Sequence, residues 1–240
     1  MKHKEAYEQR LGALDENERR ALRYGDWDIF AGQVFREFRR DVHVVDPFPI
    51  PEDWRKFRAL DYGYANPACC LWLAIDYDGN IYVYRELYIT LLTAKELARR
   101  IIELSGEEKI LYTVADPSLW AKMGHEGVSI EETMRKEGLR LVQADNDRLA
   151  GKQQVHSYLR ECRLKIFSTC VNLIRTLPQL VHDPKRPEDV DTDGEDHAYD
   201  ALRYALMSRI APPVTEERKK EITKRRRRLV RPVVSEITGY

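Results

Sequence analysis

The stretch EDHAYDALRY, residues 195–204, sets Glu195, Asp196 and His197 ahead of a further acid, Asp200. Read as a helix, Asp196 and Asp200 are four apart and His197 and Asp200 three apart, so they share a face. Like charges on one turn repel unless something positive sits between them. Asp196 alone is accounted for as an N-cap, since a carboxylate there accepts bonds from free N–H groups and suits the helix dipole. Asp200 is not, because it lies in a stripe of Ala198, Ala201, Leu202, Ala205 and Leu206. Two further acids, Asp61 in FRALDYGY and Asp116 in KILYTVADPS, end apolar runs. If both runs are strands of one direction in one sheet, both carboxylates emerge at one rim, where ligand sites of open α/β sheets lie. A helix packed near that rim adds Asp200, with Asp196 or His197 beside it. Three carboxylates in one cleft repel strongly. Divalent cations relieve this, and all-oxygen ligands select hard ions such as Mg2+ or Mn2+. Two such ions about 4 Å apart activate a water and stabilise the leaving oxygen of a phosphodiester. Taken singly, each acid also has a bland reading as a turn or cap residue.

The elements that must position these groups read as α/β. Residues 1–24 read as helix, with Tyr7, Leu11, Leu14 and Leu22 at roughly helical spacing among charges. VVDPFPIPEDW carries three prolines among residues 47–51, a stiff connector, and a boundary is placed near residue 52. Beyond it, FRALDYGY and ACCLWLAID read as strands, and Asp78-Gly79 marks a hairpin into IYVYRELYI. Residues 93–105 read as helix, KILYTVADPS as strand, 129–137 as helix and LRLVQA as strand. Residues 151–161 and 171–181 read as helices, DPKRPEDVDTDGED as a polar loop, and the opening stretch as the last helix. A hairpin-led sheet followed by alternating strands and helices is α/β. The expected organisation is a linker segment over 1–52, a domain over 53–211 and a basic tail over 212–240.

The 240 residues carry 40 Lys plus Arg and 40 Asp plus Glu, a formal net charge of zero that by itself decides nothing about nucleic acid. The distribution is uneven, with acids crowding 183–200 and bases 218–231. Adjacent Cys69 and Cys70 sit in an apolar run and read as buried free thiols of a reducing compartment. No apolar run approaches membrane-spanning length, and MKHKEAYEQR is no signal peptide, so a soluble, cytoplasmic protein is expected.

ALDYGYANPACCLWLAID, VADPS, ADNDRLAGKQQVHSYLRECRLKIF and EDHAYDALRYAL, in this order and at these separations, resemble the nuclease domain of the large terminase subunit of tailed bacteriophages. The likeness covers roughly residues 53–210. It implies an RNase H-like (RuvC/integrase type) mixed central sheet flanked by helices, with a helical N-terminal linker and a basic C-terminal tail. It implies two-metal cleavage of double-stranded DNA concatemers during genome packaging. Portal and small terminase would be partners, in the host cytoplasm and outside the mature virion. Residues 1–50, with YGDWDIFAGQVFREF, resemble the segment joining the family's ATPase motor to its nuclease. Carried over by position, Asp61 matches the acid that touches both metals, Asp116 the second acidic position, and Asp200 the acid of the last helix. His197 matches a histidine some members place three residues before that acid, while Asp196 is equally explained as an N-cap. One departure is large: no GxxxxGK[ST] phosphate loop occurs, and Gly151-Lys152 is followed by Gln153. The chain therefore reads as a C-terminal piece of a longer protein.

Arg148 and Lys152, at a loop-to-helix junction, read either as contacts to DNA backbone phosphate or as a solvated helix start. Arg225, Arg226, Arg227 and Arg228 read as DNA contacts of the tail, or as a solvated arm. His125 reads as a loop histidine, and Trp54, Trp72 and Trp120 as core or interface. Two alternatives to the nuclease reading stay open: a non-catalytic module binding DNA or portal, and a junction resolvase of the same fold.

Overall fold

The computed structural model describes residues 32–122, 127–208, 210–213 and 215. The expected helix over 1–24, His125 and the arginines of the tail lie outside these residues. Seven strands form one sheet: β1 (Val44–Val45), β2 (Arg55–Asp61), β3 (Ala68–Ile75), β4 (Ile81–Ile89), β5 (Ile110–Ala115), β6 (Val142–Gln143) and β7 (Leu164–Phe167). Their order is β1-β7-β4-β3-β2-β5-β6. β3 is antiparallel to both neighbours and every other pairing is parallel. Hence β2, β4, β5 and β7 all end at one rim.

The centre of the sheet follows from its side chains. Every residue of β3 is buried, as expected for a strand covered on both faces. Each fully buried Leu or Ile there contributes roughly 1.5–3 kcal/mol. β3 turns into β4 through residues 76–80, where the Asp76 carboxylate accepts from the N–H groups of Asp78 and Asn80 and Gly79 takes φ +84°. That left-handed turn is the hairpin signalled by Asp78-Gly79.

Helices cover both faces. They are α1 (Arg40–His43), α2 (Ala94–Ser105), α3 (Ile130–Lys136), α4 (Arg148–Arg160), α5 (Val171–Thr176) and α6 (His197–Met207). Thr93 with Glu96, and Ser129 with Glu132, form capping boxes that start α2 and α3 where expected. Arg58 of β2 and Trp72 of β3 both reach Ser105 Oγ, so α2 lies on the face those residues share. Alternation along β2 then turns Phe57, Ala59 and Asp61 to the opposite face. There α6 packs across β2 and β3, with α4 against it.

Three expectations need correction. The proline-bearing connector contributes a strand, because Val44 and Val45 precede its first proline and pair with Ile166 and Phe167. Leu164–Phe167, unassigned from sequence, is β7, a four-residue strand too short to show a period. The helix expected over 171–181 ends at Thr176, and Pro178 sits in a 3-10 turn over Leu177–Gln179.

Candidate active site

β2 and β5 are parallel neighbours, with Leu60 opposite Ala115. Asp61 is therefore the last residue of one strand and Asp116 the first residue past the other, side by side at the rim. Asp116 caps the 3-10 turn Pro117–Trp120, its Oδ1 accepting from Ser118 N–H at 2.6 Å. α6 brings the remaining groups. His197 Nδ1 lies 3.0 Å from Asp61 Oδ2. Asp200 Oδ1 accepts from Arg203 Nε at 3.0 Å, and Arg148 Nη1 stands 3.8 Å from Asp200 Oδ2. The Tyr204 hydroxyl donates to Asp116 Oδ2.

Asp196 differs from its capping expectation. Its side chain makes no cap bond, and the residue is only 7% exposed. Its backbone is already near-helical, with φ −95° and ψ −3°, rather than the extended form from which a cap side chain folds back. The carboxyl lies within reach of the charges of Asp200, His197 and Asp61. Burial, then the nearby Asp200 charge, pushes its pKa up to about 7.

Charge crowding is the electrostatic signature of the site. Burial raises Asp61, and the charges of Asp200 and Asp116 raise it further, against the opposing bond from His197. His197 is held above its ordinary value, chiefly by its bond to Asp61. Burial also works to raise Asp116, but the bonds from Ser118 and Tyr204 outweigh it and hold this carboxyl low. Asp61, Asp116, Asp196 and Asp200 thus form a partly buried anionic cluster of oxygen donors, the chemistry that suits hard divalent cations. Among the described residues, no three His, Cys, Asp or Glu side chains converge on one point. The reason is visible in the bonds: Asp61 is turned to His197, Asp116 to Tyr204 and Ser118, and Asp200 to Arg203 and Arg148. The donor set fits divalent ions, and these partners must yield some lone pairs when an ion binds.

Arg148 and Lys152 are both bonded within the chain. Lys152 is 5% exposed, and its Nζ donates to the Glu188 carbonyl at 2.6 Å. Arg148 Nε donates to both oxygens of buried Asp189, at 3.2 and 2.9 Å. Both residues hold the acidic 183–195 loop against α4. α4 starts at Arg148, three residues earlier than expected, with Asp147 as its cap. Sequence reasoning missed Arg203 and Tyr204. The signal was available, since Arg203 stands in the same apolar stripe that singled out Asp200.

A mixed sheet of this order, with acids at the ends of two adjacent parallel strands and on the last helix, defines an RNase H-like domain. Residues 58–209 match the family model of the terminase RNaseH-like domain, and the chain belongs to that family. A comparison with curated protein sequences returns no match. Among solved structures, the nuclease domain of the P22 large terminase superposes with a TM-score of 0.65 at 19% identity, over 78% of this chain and 97% of that one. The large terminase of a thermophilic bacteriophage, in complex with ADP, gives 0.64 at 24% identity, over 75% of this chain and 45% of the other. The chain thus spans less than half of that ADP-bound protein. The large terminase nuclease of another thermophilic phage, G20c, with bound magnesium, gives 0.56 at 14% identity, over 74% and 98%. The same G20c nuclease also has a cobalt-bound structure. Among the described residues, no helix is long and apolar enough to cross a membrane.

Proposed function

We propose that this domain is a divalent-metal-dependent endonuclease that cuts double-stranded DNA concatemers during phage genome packaging. The reading is supported by Asp61 and Asp116 lying at the ends of adjacent parallel strands, with α6 carrying Asp200 near enough for the charges of Asp116 and Asp200 to act on Asp61. Asp61, Asp116 and Asp200 are the metal ligands, with Asp196 and His197 beside them. Two Mg2+ or Mn2+ ions bound there would supply Lewis-acid activation of water and stabilisation of the leaving oxygen. The chain's own part is to present carboxylate oxygens from two strand ends and a helix, released in part from their present partners when ions bind. His197 ties Asp61 to the helix and fixes which oxygen faces the cleft.

With Arg148 and Lys152 engaged internally, backbone affinity is assigned to other cations, Arg225 to Arg228 among them. In this reading the domain works beside portal and small terminase in the host cytoplasm and leaves before the virion matures. The test is supercoiled plasmid incubated with the protein, with and without Mn2+ or Mg2+. Nicked and linear products only in the presence of metal are expected. Intact plasmid at millimolar Mn2+ and saturating protein would favour a DNA- or portal-binding module instead.

A further inference from the structure

We propose that Arg203 and Tyr204 are positioning residues that orient Asp200 and Asp116 for the metal ions; the proposal rests on the nuclease reading above. Asp200, Arg203 and Tyr204 stand at i, i+3 and i+4 of α6 and so share one face. Arg203 Nε donates to Asp200 Oδ1 at 3.0 Å, and its Nη2 donates to Asn146 Oδ1 at 3.2 Å. Its guanidinium lies over the Tyr204 ring, 4.5 Å from the centroid. Tyr204 in turn donates to Asp116 Oδ2, while Ser118 N–H holds Oδ1. One helix face therefore grips two acids that come from different elements. A carboxylate offers about four lone-pair sites. Each grip uses one or two of them, so the partners decide which carboxylate oxygens remain for an ion.

The arrangement is costly to folding, and that favours a role beyond packing. Arg203 is 1% exposed, in a stripe where an aliphatic residue would pack without desolvating a charge. Its Nη1 is buried without a protein partner. Room for the side chain is made by Gly151 of α4, where a Cβ would overlap Arg203 Cγ and Cδ. Glycine inside a helix weakens it relative to alanine. A buried, incompletely bonded cation and a glycine near the start of α4 thus meet at one point, where Arg203 is bonded to Asp200. Departures from local preference of this kind concentrate at functional sites.

The test compares Tyr204→Phe, Arg203→Lys and Gly151→Ala with the unaltered chain. Two measurements are made: the rise in melting temperature during titration with Mn2+ alone, and the Mn2+ dependence of plasmid nicking. Partners that orient metal ligands change metal affinity by about 10–100-fold. Tyr204→Phe and Arg203→Lys should therefore move both Mn2+ midpoints up by about tenfold or more. Binding to a short duplex in EDTA should stay unchanged. Tyr204→Phe removes a single oxygen and should fold even if the other variants do not. Unchanged Mn2+ midpoints in Tyr204→Phe, with only a lower metal-free melting temperature, would make these contacts structural and overturn the proposal. Absence of any Mn2+ response in the unaltered chain would overturn the nuclease reading itself, an outcome separable from failure in the variants alone.

Discussion

His197 donates from Nδ1 to Oδ2 of Asp61 at 3.0 Å, joining the first turn of α6 to the last residue of β2. The two residues are 136 positions apart in the chain, so the bond is a direct measure of how the cleft is assembled. Asp61→Asn should abolish metal-dependent plasmid nicking while duplex binding survives, because a ligand is removed and an anion taken from the DNA path. His197→Ala should lower the nicking rate by about 10–100-fold, as expected when a ligand's orienting partner goes. Wild-type rates in both variants would move the chemistry away from this rim.

Crowded acids strain the metal-free fold. Divalent metal that binds the native state alone should raise the melting temperature by mass action. The combined change of Asp61, Asp116 and Asp200 to Asn should remove that rise. Asp61→Asn alone, at the carboxyl that burial and crowding raise, should lift the metal-free melting temperature. Thermal melts of both variants and the unaltered chain, with and without Mn2+, check both parts. A preserved Mn2+ shift in the triple variant would place the ions elsewhere.

Lys152 and the tail arginines should separate cleanly in a salt series. Lys152→Met removes the bond to the Glu188 carbonyl from a buried site, so it should cost about 1–3 kcal/mol of stability. It should leave the salt dependence of duplex binding unaltered. Changing Arg225, Arg226, Arg227 and Arg228 to Gln should flatten the salt slope by about 0.9 for each phosphate left unneutralised. A flatter slope in Lys152→Met would restore Lys152 to the DNA interface.

His43 makes stability depend on pH in a known direction. At the buried end of α1, its Nδ1 accepts from Arg39 N–H at 2.9 Å, which leaves Nε2–H to donate to the Leu159 carbonyl at 3.0 Å. Burial lowers its pKa below the ordinary histidine value of 6.5, against the pull of its backbone partners. The unfolded chain then binds more protons than the folded one below pH 6.5. Its contribution is intact above that pH and declines as pH falls toward the lowered folded value. The stability difference between the unaltered chain and His43→Gln, followed by denaturant unfolding from about pH 8 to about pH 5, should shrink with acidification. A difference independent of pH would mean that His43 does not titrate differently on folding.

Much of this architecture is readable from local signals. Strand periods, the Asp78-Gly79 turn, the capping residues Thr93 and Ser129, and the acid set in the apolar stripe of α6 are each encoded within a few neighbouring residues. So are the strand-terminal positions of Asp61 and Asp116, because Gly63 and Pro117 stop the runs that carry them. Local sequence cannot say that β2 and β5 are parallel neighbours, since register is chosen by the packing of the whole sheet. That choice alone turned two separate acids into a pair. The burial of Lys152 was hidden for the same reason: a lysine near a helix start looks solvent-facing until the 183–195 loop folds over it. Asp196 looked like a cap because the residue type suits one, and the backbone angles it adopts decided otherwise. Gly151 had no evident purpose in the sequence, because its reason lies in Arg203, far along the chain on a helix packed against its own. Face and period are properties of a segment, whereas which cation or acid lies behind that face depends on the elements that pack against it.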